Sequence, residues 1–123
     1  MTRPFTSVNP ATEEQTASYN AHGPEEVEAR LDRAADAFHT NRRRSVSSRA
    51  ERLHRLADLL QERAREYGRL MTQEMGKPIT QAQAEAEKCA WVCRYYAEHA
   101  ADFLADEPVD TSAQRSYVAY QPL

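Results

Sequence analysis

The chain is predicted to be mainly α, with three amphipathic helices over residues 24–40, 47–75 and 79–105, a short hairpin before them and a lone strand after them. Three observations predict it. Apolar residues recur at three- and four-residue intervals through most of the chain, the period of one helix face. Glycine and proline stand together at Gly23-Pro24 and at Gly76-Lys77-Pro78, where helices would start or stop. Runs rich in β-branched and aromatic residues are short and confined to the two ends.

In chain order, Phe5 to Val8 and Thr16 to Tyr19 flank the stretch NPATEE. An Asn-Pro turn signal between two β-prone runs predicts a hairpin, and two strands alone are marginal in water, so this one must lie on something else. Pro24 then opens the first helix where no amide donor is needed, and Glu25 and Glu26 face its positive end. Val27, Leu31, Ala34, Ala35 and Phe38 form its stripe. Residues 41–46, NRRRSV, make a basic connector.

The second helix is the longest. Ser48 with Glu51 fits a capping box. Leu53, Leu56, Leu60, Ala64, Tyr67 and Met71 give one apolar stripe. Gly68 interrupts it at a cost of about 1 kcal/mol relative to alanine, and Gly76 with Pro78 ends it. The third helix has its stripe at Ala82, Ala86, Cys89, Cys93, Tyr96 and Ala100, running on to Leu104. So many small residues allow close approach of helix axes. The simplest arrangement is an antiparallel pair across Gly76-Lys77-Pro78, with the first helix alongside. Residues 108–114 read as a loop. Residues 116–121, SYVAYQ, read as a strand apolar on both faces, which suits burial in a sheet larger than the chain supplies.

Composition narrows the function classes. At 123 residues there is one domain at most. A charged fraction of 28% with a net charge of −3 is ordinary for a soluble chain and argues against general nucleic-acid binding. No apolar run approaches the ~20 residues of a membrane span. The MTRPFTSVNP start lacks the apolar core of a signal peptide, so a cytoplasmic location is expected. Two cysteines imply no disulfide framework.

Chemistry-bearing residues are few. Cys89 and Cys93 share a helix face, but structural zinc asks for four ligands, so they read as small core residues. Residues 42–69 hold nine arginines (42, 43, 44, 49, 52, 55, 63, 65, 69) against four acids (51, 58, 62, 66). No Phe, Trp or Tyr interleaves residues 42–65, and a solvated or ion-paired helix face is expected rather than a phosphate-binding one. Glu74 and Glu85 flank a helix turn without a nucleophile nearby, and read as helix-end charges. His22, His39, His54 and His99 fall on separate elements, and the isolated glycines form no phosphate cradle. No catalytic, cofactor-binding or metal residue is assigned.

The order VNPAT, a first helix, an Arg/Leu-patterned second helix, Glu74-Met75-Gly76-Lys77-Pro78, Glu85 and the tail SYVAYQPL resembles the N-terminal segment of the NAD(P)-dependent aldehyde dehydrogenase family. EMGKPITQA followed by AEAEKCAWVCRYYAEHAADFL is most similar to its succinate-semialdehyde dehydrogenase branch. The resemblance covers essentially the whole chain. It implies a partial piece of that α/β fold, with residues 1–113 as outer helices of the cofactor domain and 114–123 as the start of an oligomerisation strand.

The chemistry implied for the family is covalent: a cysteine thiolate attacks the aldehyde, an asparagine helps hold the oxyanion, hydride passes to the nicotinamide, and a glutamate activates water. None of those residues has a matching position in this sequence, and neither Cys89 nor Cys93 corresponds to the nucleophile. A truncated dehydrogenase is therefore expected: NAD or NADP belongs to the parent family, and these residues alone bind neither and are inactive. The alternative is a non-catalytic helical module that docks on a dehydrogenase subunit, or on its own copy, by strand addition through 115–121. Neither nucleic acid nor membrane is an expected partner. Two departures stand out: Glu13 occupies the place of a glycine in the family's NPATG turn, and Asn41 that of a common tryptophan, an apolar anchor worth a few kcal/mol where buried.

Overall fold

The computed structural model describes residues 4–122. The first three residues of the MTRPFTSVNP start and Leu123 of the tail lie outside the described residues. The elements run β1 (Phe5–Val8), β2 (Gln15–Tyr19), α1 (Pro24–Asn41), α2 (Val46–Glu62), α3 (Ala64–Met75), α4 (Ile79–Phe103), β3 (Glu107–Pro108) and β4 (Tyr117–Val118).

The expected hairpin forms. β1 and β2 pair antiparallel, with Phe5 opposite Tyr19 and a bulge between Ser7 and Val8. Its turn is closed by local bonds: the Asn9 side chain accepts from the Ala11 amide at 2.9 Å, and the Glu13 amide donates to the Asn9 carbonyl at 2.8 Å. Glu13 has φ of 59°, in the left-handed region that favours glycine. The family's glycine thus has a backbone reason, and this chain's glutamate sits there under strain. Replacing it (Glu13→Gly) should raise stability by about 1 kcal/mol, read as a higher urea midpoint at an unchanged slope.

The hairpin does lie on something else. The Ser7 hydroxyl donates to Glu74 at the end of α3 (2.9 Å) and accepts from Thr16 (2.9 Å). Glu74 is therefore a clamp on the hairpin rather than only a helix-end charge.

α1 begins as expected, with Gly23 as its extended cap residue, Pro24 in the first turn, and Glu25 and Glu26 behind it. It buries no residue. Val27 is 44% exposed and Leu31 58%, and only Phe38 of its stripe is half-buried. The expectation that α1 packs alongside the helical pair is not met: it has no extensive contact with another helix. Asn41 at its end is exposed, so the missing tryptophan leaves no hole within the described residues.

The single helix expected over 47–75 is two. α2 stops at Glu62, Arg63 takes φ −101° and ψ 15°, and α3 resumes at Ala64. The Arg63 amide still donates to the Leu59 carbonyl and its carbonyl accepts from the Tyr67 amide, each at 3.0 Å. The rod is bent rather than broken, with Ala57 and Ala64 buried on either side of the bend. Wrapping around a partner is the usual sense of such curvature. The cap also differs from expectation: Ser45, not Ser48, is the N-cap, and its hydroxyl accepts from the Ser48 amide at 3.1 Å.

α4 runs back antiparallel across α3 and α2. Gln83 lies against Gly68, and Arg94 bonds Asp58 at 3.0 Å, which sets the register. The turn is as expected, with Gly76 at φ 69° capping α3 through a bond from its amide to the Thr72 carbonyl. The buried apolar residues are Ala57, Ala64, Ala82, Ala86, Ala90 and Ala97, and no large side chain is fully buried. Ala82 and Ala86 of the predicted α4 stripe are inside, but Cys89 and Tyr96 are exposed, and Leu104 is 39% exposed. Leu56 of the α2 stripe also faces out, at 45%. The contact face is rotated toward the alanines because only they let the axes approach this closely.

The C-terminal strand is shorter than expected and not alone. Tyr117–Val118 pairs antiparallel with Glu107–Pro108, inside a stretch partly read as loop. The Val109 amide adds a bond to the Ser116 carbonyl at 2.9 Å. The Tyr120 hydroxyl donates to the Glu107 carboxylate. That bond, with the carboxylate's charge, holds the phenol above its ordinary 10.0. The neutral phenol is thus favoured in the folded chain, a contribution present below the ordinary value and lost as pH rises through the raised one.

Candidate functional site

The residues singled out in the sequence do not converge. Glu74 is bound to the hairpin, while Glu85 pairs with Lys77 across the α3–α4 turn. The two carboxylates thus serve separate structural contacts. Cys89 is exposed and Cys93 half-exposed, both free thiols, which corrects their reading as core residues. They share an open concavity of about 700 Å³ with Lys77, Glu85, Lys88 and Val92. Among the described residues no set of three or more His, Cys, Asp or Glu could hold a metal ion.

The arginine-rich stretch is a solvated face. Of its nine arginines all but Arg49 are exposed, and no ion pair within the stretch forms among the described residues. Glu51 and Arg55, one turn apart on α2, form no ion pair. Arg49 Nε is buried without a partner. A hollow of about 1180 Å³ opens beside the α2–α3 bend and mixes Arg63, Arg65 and Arg69 with Glu62 and Glu66, a poor match for a polyanion. The histidines stay apart: His22 precedes α1, His39 and His54 lie on α1 and α2, and His99 stands on α4 with its ring 4.5 Å from that of Tyr95.

What the sequence reading missed is an aromatic cluster on α4. Tyr95 and Phe103 each meet the rings of Tyr96 and His99 and meet one another, with centroids 4.5–6.5 Å apart, yet Tyr96 is 53% and Phe103 51% exposed. The signal was the i, i+4, i+8 spacing of Tyr95, His99 and Phe103, beside the alanine stripe rather than on it.

A dinucleotide does not fit the described residues. Gly68 is consumed by helix packing and Gly76 by a helix cap. Gly23 precedes a helix start lined by Glu25 and Glu26, which would repel a pyrophosphate.

The profile of the aldehyde dehydrogenase family matches residues 1–123. The chain belongs to the aldehyde dehydrogenase family. Within it, the chain is 47% identical over 117 residues to a probable succinate-semialdehyde dehydrogenase [NADP(+)] of Synechocystis, covering 95% of this chain and 26% of that protein. It is 43% identical over 123 residues to succinate-semialdehyde dehydrogenase [NADP(+)] 1 of Mycobacterium bovis, covering 98% and 27%. The chain thus spans about a quarter of the length of these relatives, and it corresponds to the N-terminal segment of an aldehyde dehydrogenase.

Solved structures repeat the architecture. The structure of Gox0499 superposes with a TM-score of 0.92 at 31% identity, over 98% of this chain and 26% of that one. Succinic semialdehyde dehydrogenase from Streptococcus pyogenes, solved with NADP+, superposes with a TM-score of 0.87 at 28% identity, over 94% and 26%. The four helices and two small sheets are thus part of the aldehyde dehydrogenase fold.

Proposed function

We propose that these residues form the outer helical segment of an NADP-linked dehydrogenase that oxidises succinate semialdehyde to succinate, and that they are catalytically inactive by themselves. The identity of 43–47% to proteins named for that reaction, across nearly the whole chain, carries the proposal. Oxidation of the aldehyde consumes water and delivers a hydride to the nicotinamide. That chemistry needs an activated nucleophile, an oxyanion donor and a base, and the described residues bring no such set together. The segment's role is structural: the bent α2–α3 rod and α4 form a rigid support on which the hairpin is clamped.

The test is complementation. The purified 123-residue chain, given succinate semialdehyde and NADP+, should form no NADPH. Mixed with a polypeptide comprising the three quarters of the Synechocystis relative that the chain does not match, it should restore NADPH formation. Turnover by the chain alone, or failure to restore it, overturns the proposal.

A second reading is favoured by one observation: β4 is paired on one side only, by β3. A non-catalytic module could then add a strand through residues 115–121, to a dehydrogenase subunit or to a second copy. Sedimentation of the purified chain as a monomer at all concentrations would remove self-association through that edge.

A further inference from the structure

α2 starts behind a concentration of positive charge. Arg42, Arg43 and Arg44 fill the turn after α1, and Ser45 follows as the cap of α2. All four are exposed. Arg42 rests over the Phe38 ring, 5.4 Å from its centroid, and none of the three arginines makes an ion pair among the described residues. A helix start favours acidic side chains through its dipole. α1 has Glu25 and Glu26 in its first turn, whereas α2 has no acid there. No acidic residue lies between Asp36 and Glu51. Four residues after Ser45, Arg49 donates its amide to the Ser45 carbonyl at 3.2 Å, while its Nε is buried without a partner. Donors and positive charge are thus in excess at this turn.

We infer that Ser45 is a phosphorylation site, read by a protein kinase whose acidic cleft takes arginines two and three residues before the acceptor. The order Arg42-Arg43-Arg44-Ser45-Val46 presents both arginines, and an apolar residue directly after the serine. Charge patterns of this kind are how kinases tell substrates apart. Ser47 has arginine only three residues before it, and Ser48 at neither place. Both also lie inside the helix, whereas Ser45 precedes it with extended backbone, φ −60° and ψ 155°. A single backbone bond, from the Arg44 amide to the Asn41 carbonyl at 3.0 Å, closes the turn before it. The step moves the γ-phosphoryl group of ATP to Ser45 Oγ. The bond from the γ-phosphorus to the bridging oxygen breaks, the Oγ–P bond forms, ADP leaves and the hydroxyl proton passes to solvent. The product has a place to settle. It brings nearly two negative charges and three acceptor oxygens, beside the Ser48 amide that the unmodified hydroxyl already caps at 3.1 Å. At such a position a phosphate orders the helix start rather than melting it.

The test incubates the purified 123-residue chain with ATP and the catalytic subunit of cAMP-dependent protein kinase, which has that preference. Mass spectrometry should place one phosphoryl group on Ser45. Ser45→Asn, which keeps a capping side chain but offers no hydroxyl, should abolish transfer. Replacing Arg42 and Arg43 together by alanine should lower kcat/KM for transfer at least tenfold. Circular dichroism verifies that each variant keeps its helices. Phosphorus NMR then reads the second ionisation of the phosphate. It should fall below its ordinary value of about 6 and return toward that value in Arg49→Gln. No transfer, transfer to Ser47 or Ser48 instead, or transfer indifferent to the arginine pair overturns the site. A phosphate on Ser45 that ionises at its ordinary value overturns its seat at the start of α2.

Discussion

Gly68→Val should destabilise the chain by about 2 kcal/mol, although it removes a glycine from the interior of a helix. Helix propensity alone gives the opposite sign, since glycine costs about 1 kcal/mol relative to alanine. Packing decides. A Cβ on residue 68 would lie 2.7 Å from Gln83 Cγ, 3.1 Å from the Gln83 amide nitrogen and 3.3 Å from its Cα. The side chain can move, but the backbone can yield only if α3 and α4 separate. Overpacking of that kind costs about 1–3 kcal/mol, and valine's two further methyl groups put it in the upper part of the range. A chain of this length with a low-end stability has about 6 kcal/mol to lose, so the effect is a large fraction. Urea denaturation followed by helicity checks it: the midpoint should fall with the slope preserved. Gly68→Ala should cost less, and Gln83→Ala in that background should recover part of the loss by removing the nearest atom. A stabilised Gly68→Ala would mean that propensity outweighs contact at this crossing.

The same crossing shows where sequence patterning succeeds and where it stops. Helix positions, the glycine-proline turn, the hairpin and the family were legible because each depends on neighbours within a few residues or on the order of motifs. The contact face was not. The spacing of Leu53, Leu60, Tyr67 and Met71 marks a helix side correctly, and all four are at least half-buried. It cannot say that Ala57 and Gly68, apparently weak positions, hold the centre because axis distance selects small residues. On α4 the expected stripe ran through Cys89 and Tyr96, which are exposed. Periodicity finds an apolar band but cannot say which part of it makes the contact. The bend at Arg63 was illegible for a related reason: no proline or glycine occupies it, and it arises where the rod follows α4.

Glycine also decides the turn between α3 and α4, and there the expected loss is local. Gly76→Val should cost about 2 kcal/mol and release the N-terminal hairpin while α2 and α4 remain packed. Residue 76 has φ of 69°, a conformation that costs a residue with a Cβ about 1–2 kcal/mol, more for a β-branched one. A Cβ there would also sit 3.0 Å from Pro10 Cγ, on the hairpin turn. The hairpin is otherwise fastened by the bond from Ser7 to Glu74, two residues before the cap. Straining the cap therefore disturbs both attachments together. Hydrogen exchange should show faster exchange at the Asn9 and Glu13 amides, which close the turn, with protection kept in the middle of α4. Gly76→Asn separates the causes, because asparagine tolerates the left-handed region yet still meets Pro10. Its loss should be about half that of valine if backbone conformation is the larger share, and equal to it if the Pro10 contact is.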